Sequence, residues 1–134
     1  MSVAEREVGD RIPELSVTPD KYLPHRYAGA SGDFNPIHID PEFAQAVGLP
    51  RNILHGLYSM ALVARGCAGL VDGDPRGLKR LEVQFRGLGV PEAEIRVSGS
   101  ITAIEGDRAT VDVVAEQNGN QIIRNATAEV ELPG

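Results

Sequence analysis

From Leu78 onward the chain alternates. Leu81, Val83 and Phe85 take turns with Arg80, Glu82, Gln84 and Arg86, the period-two pattern of a strand with one buried face. Ile95, Val97, Ile101 and Ile104 predict a second strand beyond the Gly87 to Pro91 turn. Ala109, Val111, Val113 and Ala115 predict a third, entered through the tight turn Gly106-Asp107. Asn118-Gly119 is a hairpin signal, because both residues tolerate positive φ. Ile122 to Leu132 closes as a fourth strand, with Ala126, Ala128, Val130 and Leu132 on one face.

The first half has a different texture. Leu57 to Val71 is apolar at nearly every position, which predicts a helix starting at Gly56 and buried on most sides. About 16 residues at 1.5 Å each give a helix of roughly 24 Å. It carries Arg65 and falls short of the ~18 apolar residues of a membrane span, so no membrane segment is expected. Upstream, Val8 to Pro13 reads as an opening turn and Leu15-Ser16-Val17 as a short strand. Pro24 opens a short helix through Ala30, which Gly32 stops. Asp33 to Asp40 reads as irregular backbone. Asp40 then caps a second short helix with Pro41 at its first position and Gly48 at its end. Leu49 to Leu54 is a connector, and Asp72 to Gly77 a loop.

The order is short strand, helical segments, one long helix and four antiparallel strands. The buried face of the sheet needs a cover, and the long helix is the element available to provide it. That predicts an α+β hot-dog fold, a curved antiparallel sheet wrapped round one helix. With no repeat, low-complexity tract or linker, residues 1–134 read as a single domain.

Bulk properties narrow the function. A net charge of −6 at pH 7 without a basic cluster argues against nucleic acid. The scarcity of aromatics, three Tyr, three Phe and no Trp, argues against a base-stacking surface. A lone cysteine, Cys67, suits a reducing compartment and reads as a small core residue. The start of the chain, Met1 to Glu7, is polar and shows no signal peptide, so a cytoplasmic location is expected.

The chemistry concentrates in Ser31-Gly32-Asp33-Phe34-Asn35-Pro36-Ile37-His38-Ile39-Asp40. A carboxylate, an amide and an imidazole fall within a few positions, punctuated by Gly32 and Pro36, and suggest an acid/base pair. His55-Gly56 opens the long helix, whose N-terminus carries free N–H groups and a positive dipole end suited to a developing negative charge. Asp40 reads as a helix cap and His55 as a residue that fixes the approach to the helix. His25 reads as solvated. Tyr58 and Ser59 read as packing residues, and Arg65 receives no catalytic role. The carboxylates and histidines show no recognised metal-ligand spacing, so no metal is expected.

The run Tyr27 to Asp40, with the Phe43-Ala44 helix, the His55-Gly56 helix start and the strand layout, resembles the MaoC-like dehydratase family, which includes the (R)-specific enoyl-CoA hydratases. The likeness covers nearly the whole chain. It implies a hot-dog dimer that reversibly hydrates trans-2-enoyl thioesters to (R)-3-hydroxyacyl thioesters in fatty-acyl metabolism. By position it makes Asp33 and His38 the catalytic pair. Asn35 and Ser31 would orient the pair or the water, and the Gly56 amide would hold the thioester oxygen. Asn35 reads equally as an Asx-turn scaffold, and Gly56 also as a packing glycine. The implied partner is an acyl-CoA or acyl-carrier-protein thioester, with no metal or redox cofactor. The chain would pair with a second copy or with a related hot-dog chain. Pro24 and the acidic turn Leu88 to Glu94 depart from the family pattern.

Two other functions fit the fold. Hot-dog thioesterases commonly place a carboxylate on the long helix, and Leu57 to Val71 holds no Asp or Glu. A non-catalytic subunit of a heterodimeric dehydratase would need no acid/base pair, whereas Asp33 and His38 are both present.

Overall fold

A computed structural model describes residues 6–133. Residues 1–5, and with them most of the polar stretch read as lacking a signal peptide, lie outside the described residues. Strand β1 (Leu15–Val17) leads into helix α1 (Leu23–Ser31), the one-turn α2 (Pro36–Ile39), α3 (Pro41–Ala46) and the long α4 (Gly56–Ala68). Strands β2 (Leu78–Phe85), β3 (Ile95–Glu105), β4 (Arg108–Gln117) and β5 (Asn120–Glu131) follow. They form a 5-stranded sheet in the order β1-β3-β4-β5-β2, antiparallel throughout.

The sheet curls round α4, as the order of elements predicts. Leu62, Val63, Cys67 and Leu70 from the helix side meet Ile95, Val97, Ile101, Val111, Ala128 and Val130 from the strands in one buried cluster. Helix and sheet pack tightly at Gly66, where a Cβ would lie 2.7 Å from Cγ1 of Val97. A larger residue there would require Val97 or the helix to shift.

Local sequence sets the remaining joints. Asn118 and Gly119 turn β4 into β5 with φ of 53° and 78°, the primed geometry that matches strand twist. In β3 the buried period shifts after Ile101 because the register slips between Ile101 and Ala103. Pro24 sits in the first turn of α1, where a missing N–H costs nothing. The Leu88 to Glu94 turn is pinned by the buried Gln117. Its side-chain amide donates to the Val90 and Ala93 carbonyls at 2.8 and 3.0 Å, and its Oε1 accepts from the Val90 N–H at 2.8 Å.

One expectation is corrected. The stretch from Asp33 to Asp40 is not wholly irregular: α2 forms in its middle, because Asn35 caps it and Pro36 supplies its first position. Helix α4 is buried on most sides, as its apolar sequence predicts. Leu57, Ala61 and Arg65, spaced one turn apart, form the one stripe outside the wrap of the sheet. Among the described residues no helix is long and apolar enough to cross a membrane.

Candidate active site

The site is assembled where α1 ends and α4 begins. Gly32 closes α1 in the left-handed conformation, φ 79°, and its N–H donates to the Ala28 carbonyl at 2.8 Å. Three side chains then brace the descending backbone at every second residue. The Asp33 N–H donates to Ser31 Oγ, the Asn35 N–H to Asp33 Oδ1, and the Ile37 N–H to Asn35 Oδ1, each at 3.2 Å. Such short polar side chains replace the secondary structure that Gly32 and Pro36 interrupt. The succession delivers His38, on the single turn of α2, into the interior with 8% of its surface exposed.

The connector from Leu49 to Leu54 receives it. Asn52 Nδ2 donates to the His38 carbonyl at 3.0 Å, and the Ile53 N–H donates to the Ile37 carbonyl at 2.9 Å. The His38 Nδ1 lies 2.9 Å from the Ile53 carbonyl. A carbonyl only accepts, so Nδ1 carries the hydrogen and the other nitrogen of the neutral ring presents a lone pair. That nitrogen, Nε2, stands 3.7 Å from Oδ2 of Asp33, whose side chain is about half exposed. The structure thus brings Asp33 and His38 together, one facing solvent and one buried.

The Gly56 amide opens α4, and no acceptor meets it among the described residues. A cleft of about 300 Å³ runs past it, lined by the polar side chains of Tyr27, Ser31, Asp33 and His55 together with Gly56, Leu57 and Phe85. A Cβ on Gly56 would lie 3.3 Å from Cε1 of Phe85, so glycine keeps this wall of the cleft open. Ser31 and Gly56 therefore border the cleft with Asp33. Neither Asn35 nor His38 is among the lining residues, and the Asn35 amide oxygen caps α2. Asp40 caps α3, accepting from the Glu42 and Phe43 N–H groups at 3.0 and 3.2 Å. Tyr58 is half-buried, and burial raises its hydroxyl above the usual range.

Sequence reasoning passes over the site roles of Asn52 and Tyr27 and, for His55, which it reads as fixing the approach to the helix, misses the stack on His38. Asn52 is 2% exposed and was legible only as a polar residue inside an otherwise apolar Ile53-Leu54 approach. Tyr27 stacks beside His55 with ring centroids 4.6 Å apart. His55 itself is 2% exposed and lies face to face with His38 at 3.9 Å and 20°. No local pattern signals such a stack across 17 residues of chain.

Asp33, His38 and His55 offer ligand atoms within 4.8 Å of one another, enough in number for a cation. Their directions do not suit one. Rings stacked 3.9 Å apart hold their in-plane lone pairs in two nearly parallel planes, whereas a metal needs them to converge on one point at about 2.1 Å.

A helix wrapped by a curved antiparallel sheet, with a carboxylate–imidazole pair beside the helix N-terminus, defines a hot-dog protein with a polar site in a surface cleft. Residues 4–125 match the family described as MaoC like domain. The chain is 33% identical over 119 residues to the enoyl-CoA hydratase ChsH3 of Mycobacterium tuberculosis, covering 85% of this chain and 40% of that protein. It is 36% identical over 112 residues to the fatty acid synthase beta subunit hexB of Dothistroma septosporum, covering 81% of this chain and 6% of that protein. The chain thus spans less than half the length of either relative. The solved (R)-hydratase from A. caviae involved in PHA biosynthesis superposes with a TM-score of 0.82 at 26% identity, over 96% of this chain and 98% of that one. The chain belongs to the MaoC-like family.

Proposed function

We propose that this chain reversibly adds water across the α,β double bond of enoyl thioesters, giving (R)-3-hydroxyacyl thioesters. One observation carries the reading: Asp33 Oδ2 and His38 Nε2 are 3.7 Å apart beside the N–H of Gly56, which meets no acceptor among the described residues. Two acceptors at that spacing hold one water by both of its hydrogens. The water oxygen attacks the β-carbon and gives up a proton to the pair. The π electrons move onto the thioester oxygen, where the Gly56 N–H and the α4 dipole stabilise the enolate. Return of a proton to the α-carbon collapses the enolate, and the net change is one water added. Dehydration is the same path reversed. Each step uses this chain's own side chains and backbone.

The thioester carrier is coenzyme A or an acyl carrier protein. Members of the family with matching function support a place in fatty-acyl metabolism. Two apolar residues of the cleft lining face solvent, Leu57 on the open stripe of α4 and Phe85 at the end of β2, 63% and 50% exposed. A second copy of the chain, or a related hot-dog chain, covers that surface in this reading.

The test is hydration of crotonyl-CoA by the purified chain, followed as loss of the enoyl-thioester absorbance, with the product's configuration read by an enantiomer-specific dehydrogenase. An (R) product supports the reading. Release of free thiol without hydration overturns it in favour of a thioesterase. Size-exclusion chromatography of the same preparation reads the oligomeric state.

A further inference from the structure

The chemistry above uses one of two histidines that lie face to face. The other, His55, is 2% exposed, and its Nε2 lies 3.0 Å from the main-chain carbonyl of Asp33. Because a carbonyl has no hydrogen to give, Nε2 carries the proton. Nδ1 is left buried without a partner among the described residues. His55 occupies the N-cap position of α4, yet its side chain makes no capping bond. Ser, Thr, Asp or Asn would satisfy the helix better there, and a half-satisfied buried imidazole is a net cost to folding. A residue that breaks the local rule at a site edge points to function.

Its neighbours show what that function is. The Ile53 carbonyl holds His38 Nδ1 at 2.9 Å, the His55 side chain holds the Asp33 main chain at 3.0 Å, and the Gly56 N–H follows directly. The His55 ring also lies flat against His38. Four consecutive residues therefore contact each half of the acid/base pair and carry the helix N–H. Resting on the hydration reading, we propose that His55 is a positioning residue, which fixes Asp33 through its main chain and His38 through ring stacking relative to the Gly56 amide.

The test uses two variants and the wild type, with crotonyl-CoA as substrate. His55→Phe keeps a ring for the stack and removes the N–H; His55→Gln keeps an N–H and removes the ring. His55→Phe should lower kcat by about tenfold or more, the scale of a small misplacement of reacting groups, with KM within about twofold. His55→Gln should recover part of that loss. Wild-type kcat in His55→Phe overturns the proposal. Should either variant fail to fold, histidine-nitrogen NMR of the wild type decides, and only His25 must be told from the other two. His55 as the Nε2–H tautomer and His38 as the Nδ1–H tautomer supports the clamp, while His55 as the Nδ1–H tautomer overturns it. The spectrum is independent of turnover, so a wild type that hydrates no enoyl thioester refutes the hydration reading separately.

Discussion

His38 Nε2 and Asp33 Oδ2 stand 3.7 Å apart, beyond a direct hydrogen bond and within the span of one shared water. The two groups differ in anchorage as well as exposure. His38 is buried and tied to Ile53, while Asp33 keeps one oxygen on the Asn35 N–H and presents the other to His38 Nε2. The pair therefore works as a unit, and its members should not contribute additively. Asp33→Asn and His38→Gln should each lower kcat for crotonyl-CoA by at least ~10²-fold, the range of lost acid–base catalysis. The double variant should lose little more than the worse single. Unfolding temperatures near that of the wild type would show that the loss is chemical, and a single variant with undiminished kcat would remove that residue from the mechanism.

Gly56 allows the backbone donor to be removed without breaking the helix. It is the first residue of α4, where proline is tolerated, and the φ −63° and ψ 135° of His55 suit a residue preceding proline. Gly56→Pro thus deletes the N–H. Gly56→Ala keeps it and adds only a Cβ, 3.3 Å from a Phe85 ring that is half exposed and free to shift. The proline variant should lose ~10²–10³-fold in kcat, the scale of one lost oxyanion donor, and the alanine variant less than about tenfold. Equal losses in both would mean that the glycine serves packing alone.

The fold was legible where local chemistry and tertiary need agree. The alternation of β4 and β5 about Asn118-Gly119 and the length of α4 both follow from the sequence. Asp40-Pro41 announced α3, and Asn35-Pro36 is the same cap-and-proline signature for α2. Gly32 and Pro36 masked it, because a single turn of helix leaves no apolar period to read. The kink at Asn125, φ 50°, carries no comparable signal, since an asparagine within an alternating strand looks like any exposed position. Within the site, Asp33 and His38 stand out because six residues of chain hold both. The stacking of His55 on His38 and the grip of Asn52 on the His38 carbonyl arise only when the connector folds back over α2. Sequence spacing has no access to such contacts.

Asn35 separates scaffolding from chemistry. Its Oδ1 accepts the Ile37 N–H at 3.2 Å as the cap of α2, and its side chain lies outside the cleft lining. Asn35→Ser retains a capping oxygen, whereas Asn35→Ala does not. The alanine variant should be less stable by about 1 kcal/mol, the usual value of an N-cap, and should lose turnover as His38 loosens. The serine variant should stay within about threefold of wild-type kcat. A serine variant that is stable yet ~10²-fold slower would place the amide in contact with the water instead.

Cys67 ties stability to alkaline pH. It is fully enclosed between α4 and the sheet, and burial pushes its thiol from 9.0 up to about 12. The raised value means that the folded state disfavours the thiolate. Between those two values the unfolded chain releases the proton while the folded chain keeps it, so the unfolded state binds fewer protons and stability falls as pH rises. Below 9.0 the thiol is protonated in both states and contributes no slope. The slope from one such group reaches at most about 1.4 kcal/mol per pH unit. Urea unfolding of wild type and Cys67→Ala at a series of pH values above 9.0 isolates it from tyrosine and lysine titration common to both. The two stabilities should converge with rising pH, as wild type loses the extra increment. A constant difference across the range would mean that water reaches the thiol, and native-state alkylation of Cys67 at neutral pH should then be fast rather than absent.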